Sequence, residues 1–526
     1  MSPPPPKPNL REKLALIDRF LARGDVVAAQ STAGQLLAAY PRRAEASHRM
    51  GLVLLLSAHP ELAEDHLRRA VESDKTNAEY RLDLGQCLLA MGRVVEAETH
   101  YERARAIAPT NPRVNWKRGA SLLAMGRGEE ALVAFDAALA VAQAADRPRI
   151  HLDKVECLLS LGRSGEAERE IRAMLPATPY RSRYVVLLSQ IGKPDAGSAV
   201  FALIEQELAR PGLAPLARSD LMLRRASLLA QTGRHEEAFR GWTAAKKLLN
   251  APPRGAGLGR MVDERIAAFP AEAIARLAAR YGTRGPAPIF VIGLPRSGTT
   301  LVSEILAAHD AVGNAGEIET MTWIAAQMKG AHPLAEMERG LAEQGPEKVS
   351  SLAAAYGQVA AHLVSPKLHS VDKMPNNFLY VPEIAILFPD ARFIDCTRHP
   401  ADTFISAIQT EMNEAHSYSY DAEDFALYHR HHRRLMRHWS EALPGRIFEL
   451  SYERLVTEPR TVIADMLAFL GLPWQEACLS PGANASTVRT FSRLQVKSAI
   501  HAGSIGRWKP YAEWLRPILG AAAASP

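Results

Sequence analysis

The chain has 526 residues, of which 47% are hydrophobic and 23% are charged, a composition typical of folded globular proteins that excludes a disordered or fibrous one. Its length exceeds what one hydrophobic core usually organises, so at least two domains are expected. The formal net charge of +6 favours anionic ligands, but the basic residues are scattered, and we predict no nucleic-acid partner.

The cysteines and the hydropathy pattern indicate the compartment. The four cysteines lie far apart without a CxxC pair, which predicts neither a zinc site nor a disulfide framework. Residues 1–9 are mostly proline and polar, and no signal-peptide apolar stretch follows them. No window approaches the run of about 20 apolar residues that a membrane-spanning helix requires. We therefore expect a cytoplasmic protein with a disordered stretch over residues 1–9.

Residues 10–250 are interpreted as helical repeats, which keep a period of 34 residues in the earlier units and deviate from it in the later ones. Small residues keep this spacing in several columns: Gly51, Gly85 and Gly119; Ala29, Ala63, Ala97 and Ala131; and Ala70, Ala104 and Ala138. Small side chains let antiparallel helices approach closely. Further glycines are expected to end helices with a positive backbone φ: Gly92, Gly126, Gly162 and Gly233. The period identifies tetratricopeptide helix pairs and predicts an all-α solenoid of about six units.

A Pro/Gly-rich stretch at residues 251–257 interrupts the helical pattern, and a helix-like segment then runs toward Tyr281. We interpret residues 251–287 as a linker with a helix and residues 288–520 as a second domain. Its first strand is predicted at Pro288 to Gly293, because a short apolar run here precedes a Gly-rich loop and an amphipathic segment. This order predicts an α/β fold of the P-loop type with a parallel sheet.

The loop after that strand has the form of a phosphate-binding turn. Gly293 and Gly298 have the spacing of a Walker A loop, in which backbone N–H groups at a helix N-terminus bind phosphate oxygens. The lysine position of a nucleoside-triphosphate loop holds Thr299, whereas a permanent cation stands three residues earlier, at Arg296. An ordinary ATPase or kinase is thereby disfavoured.

With Pro-Arg-Ser-Gly-Thr-Thr-Leu over residues 295–301, the chain resembles the sulfotransferase family, whose 5'-phosphosulfate loop has a basic residue ahead of Ser-Gly-Thr-Thr. It is most similar to the tyrosylprotein-sulfotransferase-like branch and to bacterial proteins that join tetratricopeptide repeats to such a domain. The resemblance covers Pro288 to Tyr511. It implies transfer of a sulfuryl group from 3'-phosphoadenosine 5'-phosphosulfate to a hydroxyl, and no metal ion is predicted.

The resemblance also implies which residues bind the donor. Arg398 and Ser406 match positions that bind its 3'-phosphate, and other positions match the loop and the final donor-binding segment. The predicted donor-binding set is Arg296, Ser297, Gly298, Thr299, Thr300, Arg398, Ser406, Tyr452, Ser492 and Arg507. Four residues past Ser406, where these relatives have another arginine, this chain has Thr410, so donor binding is expected to be arranged differently there.

Three residues are predicted to be catalytic. Glu317 stands at the offset from Arg296 where this branch keeps a catalytic glutamate, and Glu319 is its main rival. A hydroxyl attacks poorly until an acceptor within hydrogen-bond reach takes its proton, so we predict Glu317 as the general base. Lys373 matches lysines that reach the transferred group. With Arg296 it is expected to neutralise charge that develops on the bridging oxygen.

The repeats are expected to recruit a polypeptide or glycan acceptor, and a protein tyrosine is one candidate. Oligomerisation or structural support is the alternative role for them. Two other functions of the whole chain stay open at this point: a non-catalytic repeat scaffold with a nucleotide-binding domain, and a nucleotide kinase. The sequence does not distinguish tyrosine, sugar and small-metabolite acceptors.

Overall fold

The computed structural model describes residues 9–23, 25–57, 59–192, 194–284, 288–318, 320–328, 334–364, 367–481 and 500–523. The chain divides into two compact units, Met1–Cys157 and Leu158–Pro526. Over the described ranges, no helix combines the length and the apolar character needed to span a membrane. The four cysteines are buried free thiols.

The first unit is built from helices α1 to α8 and most of α9. Their bounds are Leu10–Ala22, Val26–Ala39, Ala44–Leu56, Pro60–Ser73, Ala78–Ala90, Val94–Ile107, Pro112–Ala124, Gly128–Val141 and Arg147–Ser160. Two equivalent helices begin in the same way: the side chains of Asn77 and Asn111 accept hydrogen bonds from backbone N–H groups in the first turns of α5 and α7. The equivalent position before α3 is Arg43, whose side chain makes no such cap, so the repeat extends to the helix caps in α5 and α7.

The predicted small-residue columns lie where paired helices touch. A Cβ atom on Gly85 would lie 2.7 Å from Cε1 of Tyr101, and one on Gly119 would lie 2.7 Å from Cε1 of Phe135. Only glycine lets the large ring of the second helix lie flat against the first. The alanine columns are fully buried at Ala29, Ala63, Ala97, Ala131, Ala70, Ala104 and Ala138. The predicted helical repeat is confirmed.

The predicted helix-ending glycines also have the expected backbone. Gly92, Gly126, Gly162 and Gly233 have φ values of 70°, 76°, 78° and 79°. This left-handed conformation is easy for glycine and ends each first helix of a pair. The last of these turns joins two helices of the second unit, so the helix-pair pattern continues beyond the first unit.

The second unit begins with more helices. Helices α10 to α16 span Ser164–Met174, Arg181–Leu188, Ala199–Leu208, Pro215–Gln231, His235–Lys247, Gly255–Ala268 and Ala271–Tyr281. The predicted linker at 251–287 contains two helices rather than one, because Pro270 interrupts the pattern and precedes α16. The boundaries 10–250, 251–287 and 288–520 stay predictions, and helices α10 to α14 belong to the same compact unit as the sheet.

A parallel sheet forms the core of the second unit. Its strands are β1 Ile289–Gly293, β2 Val312–Gly316, β3 His369–Asp372, β4 Arg392–Thr397 and β5 Ile447–Ser451. They lie in the order β2-β3-β1-β4-β5, and each neighbouring pair is parallel. The α/β prediction is confirmed. The first strand begins one residue after the predicted Pro288, and every one of its residues is buried.

Helices cover both faces of this sheet. Helices α17 to α25 span Thr299–Ala307, Thr320–Gln327, Leu334–Val364, Val381–Leu387, Pro400–Ile408, Ala422–Ala442, Tyr452–Thr457, Pro459–Leu470 and Arg516–Ala523. Helix α19 is broken at Gly345, whose φ is 77°, just before Pro346. A 3-10 helix, Pro375–Tyr380, directly precedes α20.

Candidate anion-binding and catalytic site

The carboxyl end of each strand is followed by a predicted site residue. Arg296 follows β1, Glu317 follows β2, Lys373 follows β3, Arg398 follows β4 and Tyr452 follows β5. In a parallel sheet all these ends lie at one edge, where open α/β sheets bind their ligands. The topology therefore brings together residues that span more than 150 positions of the sequence.

The loop between β1 and α17 is tightly folded. Its backbone φ is positive at Gly293 (138°), Arg296 (74°) and Gly298 (106°). A Cβ on Gly298 would lie 2.6 Å from Cδ2 of Tyr452, and one on Gly293 would lie 2.6 Å from the carbonyl oxygen of Cys396. Glycine is thus required at both ends of the loop, and the unusual conformation of Arg296 is typical of ligand-binding turns.

Three arginines converge beside this loop. Arg296 Nε donates a hydrogen bond to Ser406 Oγ at 3.0 Å, and Arg398 Nη1 donates to the carbonyl oxygen of Arg296 at 3.1 Å. Burial, together with the charges of Arg398 and Arg507, lowers the pKa of Arg296 to about 10. Cations this close to a buried guanidinium favour a bound anion, which would relieve their repulsion.

Two buried hydrogen-bond donors also indicate that this site binds an anion. Within the described residues, Ser297 Oγ and Arg398 Nε are buried and have no hydrogen-bond partner. A buried polar atom without a partner costs about 1–3 kcal/mol, so such atoms are uncommon unless a ligand satisfies them. Both atoms belong to residues that are predicted to bind the sulfuryl donor. Both can donate hydrogen bonds to the oxygens of a phosphate or sulfate.

A segment from the C-terminal end of the chain completes the arginine cluster. Asp402 accepts hydrogen bonds from the backbone N–H groups of Gly506 at 2.7 Å and Trp508 at 3.0 Å. The Trp508 ring stacks on His399, with centroids 5.1 Å apart. These contacts fix the backbone on both sides of Arg507. No sequence pattern indicated this role of Asp402, because its partners lie over 100 residues away in the chain.

The two predicted catalytic side chains beyond the loop contact each other. Lys373 Nζ forms an ion pair with Glu317 Oε1, and the backbone N–H of Lys373 donates to the carbonyl of Gly316 at 2.8 Å. Burial lowers the pKa of Lys373, an effect that the charge of Glu317 opposes. The lysine side chain is 2% exposed and the glutamate side chain is 40% exposed, so the carboxylate is the partner open to an incoming group.

A buried polar cluster lies behind this ion pair. Asp372 accepts hydrogen bonds from Tyr356 Oη at 2.8 Å and from Asn377 Nδ2 at 3.2 Å. Complete burial raises the pKa of Asp372 to about 7, although both hydrogen bonds and the charge of Lys373 oppose the rise. Because Asp372 precedes Lys373 directly, this cluster fixes the backbone from which the lysine extends. Sequence reasoning missed it.

A second polar contact shapes the backbone at Glu317. Asn314 Nδ2 donates to Glu304 Oε1 at 2.7 Å, and Asn314 Oδ1 accepts from the N–H of Gly316 at 2.9 Å. Gly316 itself has a φ of 75°. The end of β2 is therefore held in a turn that delivers Glu317 to Lys373.

The structure brings most of the predicted site residues to one edge of the sheet, and their roles stay predictions. The residues placed there are Arg296, Ser297, Gly298, Thr299, Thr300, Glu317, Lys373, Arg398, Ser406, Tyr452 and Arg507. Ser492 and the rival base Glu319 lie outside the described residues. In the part of the chain that the structure describes, no group of three or more His, Cys, Asp or Glu side chains could hold a metal ion.

Comparisons with known proteins agree with this architecture. Residues 288–476 match the family model described as Sulfotransferase family, and residues 54–115 and 122–191 match a tetratricopeptide repeat model. An uncharacterized protein of Aquifex aeolicus is 35% identical over 49% of this chain and 35% of its own length. Protein-tyrosine sulfotransferase 1 of Danio rerio is 24% identical over 42% of this chain and 65% of its own length.

The protein-tyrosine sulfotransferase of Drosophila melanogaster is 28% identical over 36% of this chain and 39% of its own length. The chain thus spans between 35% and 65% of the length of these relatives. The likeness is confined to part of each protein, and the family model falls on the sheet and its charged edge. The chain therefore carries a domain of the sulfotransferase family together with tetratricopeptide repeats.

Proposed function

We propose that the protein transfers a sulfuryl group from 3'-phosphoadenosine 5'-phosphosulfate to a hydroxyl acceptor. The observation that carries this proposal is the convergence of Arg296, Arg398 and Arg507 at the sheet edge that also presents the Glu317–Lys373 pair. A donor with three anionic groups needs several cations, and the acceptor needs a base. Both requirements are met at the carboxyl edge of one sheet.

In this reaction the acceptor oxygen attacks sulfur while the bond from sulfur to the bridging oxygen of the phosphosulfate breaks. Glu317 takes the acceptor proton, and 3'-phosphoadenosine 5'-phosphate leaves. Lys373 and Arg296 stabilise the negative charge that grows on the bridging oxygen. The loop and the arginines hold the donor, so the protein contributes positioning and charge stabilisation, as in phosphoryl transfer.

The repeats of the first unit are proposed to recruit a polypeptide or large glycan acceptor. Stacked tetratricopeptide pairs present extended surfaces that bind partners, and the relatives named above include protein-tyrosine sulfotransferases. Removing residues 1–146, which end just before α9, should raise the KM of a peptide acceptor about tenfold through lost effective concentration. The KM of a small phenol should stay within about threefold. Equal losses for both acceptors would contradict recruitment.

The activity is tested by incubating the full chain with sulfur-labelled donor and a panel that contains a tyrosine peptide, an oligosaccharide and a phenol. Labelled acceptor and stoichiometric 3'-phosphoadenosine 5'-phosphate are expected. A parallel reaction with γ-labelled ATP and Mg²⁺ tests the kinase alternative, which requires labelled phosphoryl product. Donor binding without transfer to any acceptor would favour the scaffold alternative and contradict our proposal.

A further inference from the structure

Helix α14 reaches the donor side of the catalytic domain through one buried lysine. Lys246 is 1% exposed, and its Nζ donates a hydrogen bond to the carbonyl oxygen of Thr410 at 2.6 Å. The same ammonium lies 4.6 Å from the ring centroid of Tyr420. Both contacts fall in residues 410–420, called the 410–420 segment below, which connect α21 to α22. A helix of the N-terminal half of the chain therefore fixes both ends of this segment.

Other charged residues reinforce this attachment. Glu411 pairs with Arg183 of α11 at 2.6 Å and with Arg224 of α13 at 3.6 Å. Asp220 of α13 is partly buried, and this burial together with the charge of Glu411 raises its pKa to about 7. Burying several charges is costly unless they are paired, so the pairing geometry is expected to be specific. The segment is thus held by three helices that precede the sheet.

A short series of hydrogen bonds leads from Lys246 to the phosphate loop. Thr410 Oγ1 donates to the carbonyl oxygen of Ser406 at 2.7 Å. Ser406 Oγ in turn accepts a hydrogen bond from Arg296 Nε at 3.0 Å. Lys246, Thr410, Ser406 and Arg296 therefore form a continuous series of contacts, in which the lysine holds the residue that follows the last turn of α21.

Helix α14 also supports the segment that carries Arg507. The ring of Tyr511 lies 5.4 Å from Trp242, and Trp514 stacks on Phe239 with centroids 5.2 Å apart. Tyr511 Oη is 3.2 Å from His235 Nδ1. The aromatic cluster anchors the chain just after Arg507. One helix thus contacts the segment that follows Ser406 and the segment that follows Arg507.

We propose that Lys246 of α14 is a positioning residue for the donor site, where it fixes Thr410 and through it the contact between Ser406 and Arg296. This inference rests on the proposed function, because it identifies the donor as the ligand whose affinity depends on α14. It also implies that helices α11 to α14 are part of the catalytic unit and cannot be removed as a recruiting arm.

The test compares Lys246→Met with Lys247→Met in the full chain, since Lys247 is the exposed neighbour on the same helix. Lys246→Met should raise the Kd of 3'-phosphoadenosine 5'-phosphate about tenfold, because a charged hydrogen bond that fixes the site is lost. Donor KM should rise with it, while the KM of a phenol acceptor is unchanged. Lys247→Met should leave all three values unchanged. A general loss of packing would instead change the KM of the donor and the KM of the acceptor together.

Amide hydrogen exchange on the same proteins provides a readout that needs no activity. Exchange in the 410–420 segment should become at least about tenfold faster in Lys246→Met and stay unchanged in strand β4. Unchanged protection together with an unchanged Kd would overturn the inference. If the wild-type protein bound no adenosine bisphosphate, the proposed function would fail while the exchange result still reported on the contact.

A second variant covers the case in which Lys246→Met does not fold. Thr410→Val removes only the Oγ1 hydrogen bond to Ser406, and it should raise the same Kd about threefold. An unchanged Kd in this variant would contradict the proposed connection between Thr410 and the phosphate loop.

Discussion

The repeats and the sheet edge use opposite means to specify structure. In the first unit, one kind of contact recurs every 34 residues. A glycine or alanine on one helix packs closely against a side chain of the next helix, as Gly85 does against Tyr101. At the sheet edge, residues from five strand ends meet once, and they include buried cations and a buried acid. The first arrangement is local and apolar, whereas the second is long-range and charged.

This difference separates stability from function. Close apolar packing stabilises a helix pair whatever is bound. Buried charges with depressed or raised pKa values destabilise the folded state and are typical of binding and catalytic sites. We therefore expect substitutions at the sheet edge to change ligand binding or pH dependence, and substitutions at the packed glycine and alanine positions of the repeats to change only the stability of the helices that they touch.

The largest expected effect on stability comes from Asp372→Asn. The folded-state pKa of Asp372 is raised to about 7. The protonated carboxyl therefore contributes its full stabilisation of the folded state below about pH 4, and this stabilisation is lost as pH rises through 7. Asparagine does not titrate. Between pH 4 and pH 7 the wild type should therefore lose up to about 4 kcal/mol of stability relative to the variant.

The measurement for Asp372→Asn is urea unfolding of both proteins across this pH range. Asp465→Asn serves as the matched control at an exposed position. A difference between Asp372→Asn and the wild type that is independent of pH would contradict the raised pKa of Asp372.

Arg398→Met should produce the next largest effect, on donor affinity. The substitution removes a guanidinium that lies 4.7 Å from the Tyr452 ring and next to Arg296. The Kd of 3'-phosphoadenosine 5'-phosphate should rise about a hundredfold, which corresponds to about 2.7 kcal/mol. Titration calorimetry measures it, with the exposed Arg437→Met as the control. Equal affinities for the two variants would remove Arg398 from the donor site.

The same contrast explains which features were predictable. The 34-residue columns and strand β1, which begins one residue after its predicted start, depend on local patterns of residues that contact near neighbours in sequence. Arg296 was identified from the pattern of the phosphate-binding loop, and Glu317 and Lys373 were identified by family resemblance. The polar partners Tyr356, Asn377 and Asp402 were missed, because hydrogen bonds to residues brought close only by the fold leave no periodic signal.

Glycine substitutions in the repeats test the stability half of this contrast. Gly85→Ala forces a Cβ within 2.7 Å of Tyr101 and should destabilise helices α5 and α6 by about 1–3 kcal/mol. Gly34→Ala meets only an ordinary contact at 3.7 Å and should be neutral or stabilising. Native-state amide exchange measures both effects, in α5 and α6 for Gly85→Ala and in α2 for Gly34→Ala. Weaker binding of the sulfuryl donor by Gly85→Ala would contradict the proposed separation of stability and function.

The smallest expected effect is that of Asn77→Ala. The Asn77 side chain caps α5 by accepting hydrogen bonds from the N–H groups of Glu79 and Tyr80. Its loss should cost about 1 kcal/mol, seen as faster amide exchange in the first turn of α5. Exchange in the second unit should not change. No change in the first turn of α5 would show that the cap does not stabilise the helix.

The most direct test of the central claim is to measure kcat and donor affinity for Glu317→Gln beside the exposed control Glu343→Gln. Glutamine keeps a hydrogen-bond acceptor for Lys373 but cannot take the acceptor proton. We predict that kcat falls by roughly 10²- to 10⁴-fold while the Kd of 3'-phosphoadenosine 5'-phosphate stays within about twofold of the wild-type value. A Glu317→Gln protein that turns over as fast as the control would contradict the account.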